Sequence, residues 1–346
     1  MKHLFLLGLI FSGILAATAF FTSLIQVWDL NIRTQGEEET RAYHFSLYLP
    51  ENRNSFFAGI IEGAERAALE MNAAISIHSI DPAKNELEMA AYTGVDGVIV
   101  CPYLDDVLAR RQLEKLGAIP VVLINHNIPN DQPWTFIGTN NFDMGRRIGQ
   151  ISRRLWPGGE PFRLAVVYSD KAPGIYAERE LVEMGITAAL AEERRFGGEI
   201  TPIMSFKTNL NPLDAEALLY RLFRGPTAAG RNLAINTLVF TDSADTVAAA
   251  QTLVDMNLVG QVQVIGFGAD PGVMENIQKG IVACSVAINS ELIGYEAVRS
   301  LTALRTTGYT STSIDAGIEI ITGPEAAAPI GTMAPSGTAA PNGGSL

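Results

Sequence analysis

Asn54, Phe56 and Phe57 stand together in "ENRNSFF" (51–57), between the apolar run "YHFSLYL" and the helically spaced "AGIIEGAERAALE". A short amide beside two rings can do recognition chemistry. The amide exchanges hydrogen bonds with a hydroxyl, and an aromatic ring packs against a C–H face. Asn54 or Ser55 is equally suited to cap the helix that follows. Adjacent helical positions point about 100° apart, so one ring can belong to the core while the other faces a cleft.

Comparable clusters recur along the chain, each behind an apolar run. "INHNIPN" (124–130) carries Asn125 and His126. "SDKAPGIYAERE" (169–180) carries Arg179 about one turn into a helix, where it reaches a cleft or pairs with Glu183 at i+4 spacing. "TDSAD" (241–245) carries Asp242, an acceptor for hydroxyls or a helix cap, and "GFGAD" (266–270) carries Phe267. Asp105 and Asp106, behind "CPYL", suit the positive end of a helix.

Catalytic patterns are missing from this inventory. There is no Gly-x-Ser-x-Gly elbow, no Walker loop and no Gly-x-Gly-x-x-Gly behind a strand. Cys101 and Cys284 lie in apolar runs far apart, reading as buried free thiols. The four histidines are scattered, with no Cys/His spacing for a metal. Amides, carboxylates and rings at such positions suit reversible binding of a small hydroxylated molecule, with no enzyme activity, cofactor or metal.

The elements that must hold these clusters alternate in type. Short β-rich runs are expected at 43–49, 74–80, 96–101, 120–125 and 135–139, with helical patterns near 56–71, 84–92, 104–116 and 141–155. After the break "WPGGEP" the rhythm restarts. Strands are expected at 163–169, 200–206, 236–241, 262–268 and 282–288, helices near 175–193, 213–223, 244–256, 271–278 and 291–305, and a closing strand at 313–322. Such alternation predicts an α/β protein of two doubly wound, Rossmann-like parallel-sheet lobes. Ligands of open α/β sheets bind beyond the carboxyl ends of the strands, so a cleft between the lobes is the expected site.

Composition sets the surroundings. The 346 residues carry a formal net charge of -12, which disfavours a nucleic-acid surface. "MKHLFLLGLIFSGILAATAFFTSLIQVW" has no charge from Leu4 to Trp28, longer than the ~20 apolar residues that cross a bilayer. Residues 1–28 therefore read as an uncleaved transmembrane signal anchor rather than a cleaved signal peptide, although "ATA" at 17–19 can pass as a cleavage site. Lys2 before the run and Asp29 with Glu37 to Glu39 after it place the bulk of the chain outside the cytoplasm. A polar linker follows at 29–42, and the Pro/Gly/Ala/Ser-rich 323–346 reads as a disordered tail.

"NRNSFFAGIIEGAERAALEM", "GVDGVIVCP", "IPVVLINHN", "FIGTNNFDMGRRIGQ" and "VIGFGADPGVMENIQKGIVACSVAINSELIGYEAV" occur in that order over about 43–322. Together they resemble the periplasmic sugar-binding proteins of the ribose and galactose type. That resemblance implies a first lobe of 43–140 plus about 290–312, a second of 141–289 plus about 313–322, and a three-segment hinge. It also implies closure on a sugar-like ligand without chemistry, for delivery to an ABC permease or report to a sensor kinase.

Carried over residue by residue, Asn54, Phe56 and Phe57 become first-lobe ligand contacts. Asn125 and His126 stand in place of the family's Asp-Arg pair. Asp242 matches a polar contact that is often Asn, and Phe267 the aromatic of a Gly-Phe-Asp motif whose Asp is here Gly268. Ile288 and Asn289 lie where a Gln is common, and Arg179 aligns loosely with an Arg of the second lobe's first helix. The DNA-reading headpiece of repressors with this fold is replaced by the apolar segment.

Overall fold

β1 (Tyr43–Pro50) buries its last six residues on both faces, as a central strand covered by helices on each side must. The computed structural model of the chain describes residues 18–23, 41–51, 54–81, 86–102, 105–128, 131–156, 162–192, 202–211, 213–224 and 235–323. Of the expected membrane segment only 18–23 are described, as exposed helix; the rest of it, most of the linker and the tail beyond residue 323 lie outside the described residues. Among the described residues, no helix is long and apolar enough to cross a membrane.

β1 pairs in parallel with β2 (Ala73–Ile80), Tyr43 opposite Ala73, and with β3 (Gly97–Val100), Phe45 opposite Gly97. With β4 (Val121–Ile124), β5 (Thr135–Gly138) and the late strand β11 (Ser313–Asp315) they form a parallel sheet ordered β11-β5-β4-β3-β1-β2. The second sheet holds β6 (Leu164–Ser169), β7 (Met204–Thr208), β8 (Thr237–Phe240), β9 (Gln263–Phe267), β10 (Cys284–Ile288) and β12 (Ile318–Thr322). Its order is β12-β10-β9-β8-β6-β7, with only β12 antiparallel. In each sheet the chain steps to one side of its first strand and then to the other. That reversal opens a crevice at the strand's carboxyl end.

The connecting helices are α1 (Ser55–Glu70), α2 (Glu86–Met89), α3 (Asp106–Glu114), α4 (Asn141–Leu155), α5 (Pro173–Ala177), α6 (Arg179–Glu192), α7 (Asp214–Phe223), α8 (Ser243–Asp255), α9 (Pro271–Gln278) and α10 (Ser290–Thr307). The pattern expected over 175–193 is divided between α5 and α6, because the turn ends at Glu178. The strand expected at 200–206 is described from Met204 to Thr208, where Ala165 to Ser169 of β6 supply its partners.

The final strand differs more. Instead of one strand over 313–322 there are two. Gly317, at φ 70, turns the chain; β11 stays in the first sheet and β12 joins the second. Asp315 fixes the turn, its carboxylate accepting from Gly317 N at 2.9 Å and Asn140 N at 3.3 Å. The last passage between lobes therefore lies between Asp315 and Ile318 rather than near residue 312. With the passages from β5 to α4 and from β10 to α10, the chain crosses three times.

Each lobe is tied by one pair of helices whose backbones touch. A Cβ on Gly63 of α1 would lie 1.9 Å from the Glu291 carbonyl oxygen of α10, and one on Gly294 1.9 Å from that of Ile60. The second lobe repeats the arrangement: a Cβ on Gly145 of α4 would meet Val182 O of α6 at 2.1 Å, and one on Gly185 would meet Phe142 O at 2.1 Å. Phe45, Leu47, Leu49 and Phe57 pack with Ile293, Val298 and Leu301 over the first contact. Cys101 and Cys284 are free and buried, and burial pushes each thiol up to about 12.

Gly63→Ala and Gly145→Ala should each lower stability by about 1–3 kcal/mol, measured from urea unfolding, since backbone atoms must move apart. An unchanged midpoint for either would show that the helix pair tolerates separation.

Candidate functional site

Asn54 precedes α1 in extended conformation, and its side-chain oxygen accepts a hydrogen bond from Phe57 N at 3.4 Å. Asn54 rather than Ser55 is thus the cap. The two rings divide: Phe57 is 1% exposed in the first-lobe core, whereas Phe56 is half-buried and meets it edge-on at 5.3 Å between centroids. Both border a cavity of about 240 Å³ between the lobes. One trapped water needs only ~10–15 Å³ on this measure, so the space fits a small organic molecule.

Asn125 forms another part of the first-lobe wall. It follows β4 at φ 62, a left-handed conformation that asparagine tolerates better than most residues. Across the cleft, Gly174 of α5 lies so close that an added Cβ would be 2.3 Å from the Asn125 carbonyl oxygen. The lobes therefore touch backbone to backbone at one lip of the cavity.

The second-lobe wall is charged. Asp242 is 2% exposed and caps α8, its carboxylate accepting from Asp245 N at 3.0 Å. Lys171, just beyond β6, donates to Asp245 at 2.5 Å and lies 3.9 Å from Asp242. Thr208 donates to the other Asp245 oxygen at 2.6 Å. Burial, reinforced by the charge of Asp245, pushes the Asp242 carboxyl above its ordinary range, while the backbone N–H groups of Asp245 and Ala244 and the Lys171 ammonium oppose that shift. Phe267 at the end of β9, Asp270 ahead of α9, and Ala287 and Ile288 on β10 complete this side.

Three residues expected at the ligand are not in the cavity lining. His126 is buried behind Asn125, with Nδ1 donating to the Pro102 carbonyl at 2.9 Å and Nε2 3.3 Å from an Asp106 oxygen. Arg179 opens α6, where its guanidinium lies 5.2 Å over the Tyr176 ring. Its expected partner Glu183 accepts instead from Ser205 at 2.6 Å and Tyr168 at 3.3 Å. Asn289 caps α10, accepting from Leu292 N at 2.9 Å. Asn54, Phe56, Phe57, Asn125, Asp242 and Phe267 do line the cavity.

Sequence reasoning assigned no role to Lys171, Ile175 or Asp270. Lys171 and Asp270 were discoverable as groups directly behind strand ends. The Lys171–Asp245–Thr208 network was not, because Asp245 also reads as the acidic N3 residue of an ordinary helix start. Among the described residues no three His, Cys, Asp or Glu side chains are grouped to hold a metal ion. Amides, carboxylates and a half-buried ring around one cavity can bind and orient a hydroxylated molecule.

A carboxyl raised from 3.8 by folding holds its proton more tightly in the folded state. Its contribution to stability is complete below that pH and is lost as pH rises through the raised value. Asp242→Asn keeps a capping side chain and removes this loss. Urea midpoints from about pH 3 to 7 should therefore move in the variant's favour relative to wild type as pH rises; a constant difference would count against burial as the main cause. Gly174→Ala should move the two backbones apart at this lip, since the added Cβ would lie 2.3 Å from the Asn125 carbonyl oxygen, and so weaken ligand binding. Equal ligand affinity in calorimetry would refute that.

The fold has many solved counterparts. A glucose-galactose binding protein, GanP, from Geobacillus stearothermophilus matches at TM-score 0.67 and 19% identity, covering 81% of this chain and 97% of its own. A carbohydrate transporter solute-binding protein from Agrobacterium radiobacter, solved with D-arabinose, matches at TM-score 0.68 and 15% identity, covering 81% and 94%. A periplasmic solute-binding protein of an ABC transporter from Actinobacillus succinogenes, solved with D-allose, matches at 0.65 and 16%, covering 81% and 97%. Comparison with curated protein sequences gives no match. The periplasmic binding protein domain model matches residues 45–308, a span that takes in the cleft-bearing strands of both sheets; the chain belongs to that family.

Proposed function

We propose that the protein is an extracytoplasmic solute-binding protein that holds a small sugar-like ligand in the interlobe cavity and presents it to an ABC permease. The carrying observation is the pairing of the half-buried Phe56 ring with Asn54, Asn125, Asp242 and Asp270 around one cavity. A ring covers the C–H face of a pyranose or furanose while amides and carboxylates take its hydroxyls. The structural counterparts named above, described as binding glucose and galactose, D-arabinose and D-allose, support this reading. No catalytic group is needed. The uncharged run from Leu4 to Trp28 favours a membrane-anchored form, and with it a second reading in which the ligand is reported to a sensor kinase.

A panel of monosaccharides, polyols and nucleosides should contain a compound that raises the melting temperature of the full chain, the shift growing with concentration as expected for binding to the folded state alone. Phe56→Ala should abolish that shift at nearly unchanged stability. Phe57→Ala should lower stability by about 3–5 kcal/mol, as for other buried rings. A panel without any response would remove the sugar assignment.

A further inference from the structure

Among the described residues, the charges around the cavity do not balance. Lys171 is the one cation among the described lining residues, and that ammonium is engaged from behind by Asp245 at 2.5 Å, with Asp242 at 3.9 Å. Arg179, the cation expected at the ligand from the sequence, lies over Tyr176 outside the lining. Two carboxylates in the lining remain, Asp242 and Asp270. Counting Asp245 behind the wall, one positive charge faces three negative ones among the described residues.

Asp270 has no protein role that accounts for it. It sits at the N-cap of α9, yet its side chain makes no capping hydrogen bond, although Asp is among the best residues for that task. Among the described residues its carboxylate meets no cation. Gly268 turns the chain at φ 84, and a Cβ there would be 3.5 Å from an Asp270 oxygen and 3.0 Å from Ser243, which also lines the cavity. Asp270 and Asp242 thus both border the cavity close to Ser243. A half-enclosed site with surplus negative charge favours a ligand that brings a positive one and disfavours a carboxylate or phosphate.

We propose that the cavity selects an amino-bearing, cationic sugar or polyol over its neutral and anionic counterparts, an inference that rests on the sugar-binding reading above. The amine takes a place between Asp242 and Asp270, and the Phe56 ring and the amides hold the rest of the molecule.

Calorimetry on the full chain at neutral pH tests this with glucose, galactose and mannose frames, each as the 2-amino sugar, the neutral sugar and the uronate. In whichever frame binds, the amine should bind at least about tenfold tighter than the neutral sugar and the uronate at least about tenfold weaker. Asp270→Asn should reduce the amine-to-neutral ratio about tenfold, and Asp242→Asn provides a second variant that retains its cap. A neutral sugar or uronate that binds as tightly as the amine overturns the charge selection and leaves the sugar reading intact. Binding of acyclic polyamines with no sugar bound overturns the sugar reading. A panel with no binding at all overturns both.

Discussion

The contact between Gly63 of α1 and the Glu291 carbonyl of α10 decides which lobe the returning chain joins. α10 starts one residue beyond β10 of the second sheet but packs on α1, whose strand opens the first. Without two glycine-cleared backbones this helix pair could not approach closely, and dispersion between packed atoms falls quickly with separation. From that docking follow the second passage between lobes and the placing of Ala287, Ile288 and Ser290 at the cavity. The matching Gly145–Val182 and Gly185–Phe142 contacts give the second lobe the same construction from its own residues.

Much of this was legible in the sequence. Alternating apolar runs and helical spacing predict two parallel sheets, and polar clusters behind strands predict where the cavity lies. The failures have physical causes. His126 and Asn125 are neighbours, but the left-handed backbone at Asn125 points them to different surroundings, and no spacing rule reports a positive φ. Arg179 lies near the cleft in sequence, yet an aromatic face one turn earlier captures its guanidinium. The late strand reads as continuous over 313–322 because a glycine such as Gly317 inside a strand pattern resembles a bulge as much as a turn. Lys171 carried no visible role because its partners, Asp245 and Thr208, come from other elements.

The two walls of the cavity contribute different physics. The first-lobe side offers amides and a ring, groups whose interactions depend weakly on ligand charge. The second-lobe side concentrates buried carboxylates around a single lysine that already has a partner. On the proposed reading, one lobe recognises shape and hydroxyl pattern while the other senses charge, and the burial of Asp242 strengthens that sensing because little water intervenes.

The meeting of Gly174 with the Asn125 carbonyl brings the main chains of the two lobes together at the edge of the cavity. At that point there is no room for a side chain, so the spacing of the lobes is set there by main-chain atoms and not by the residues that line the cavity. Exchanging residues of the cavity lining therefore leaves the approach of the two lobes at this point unchanged.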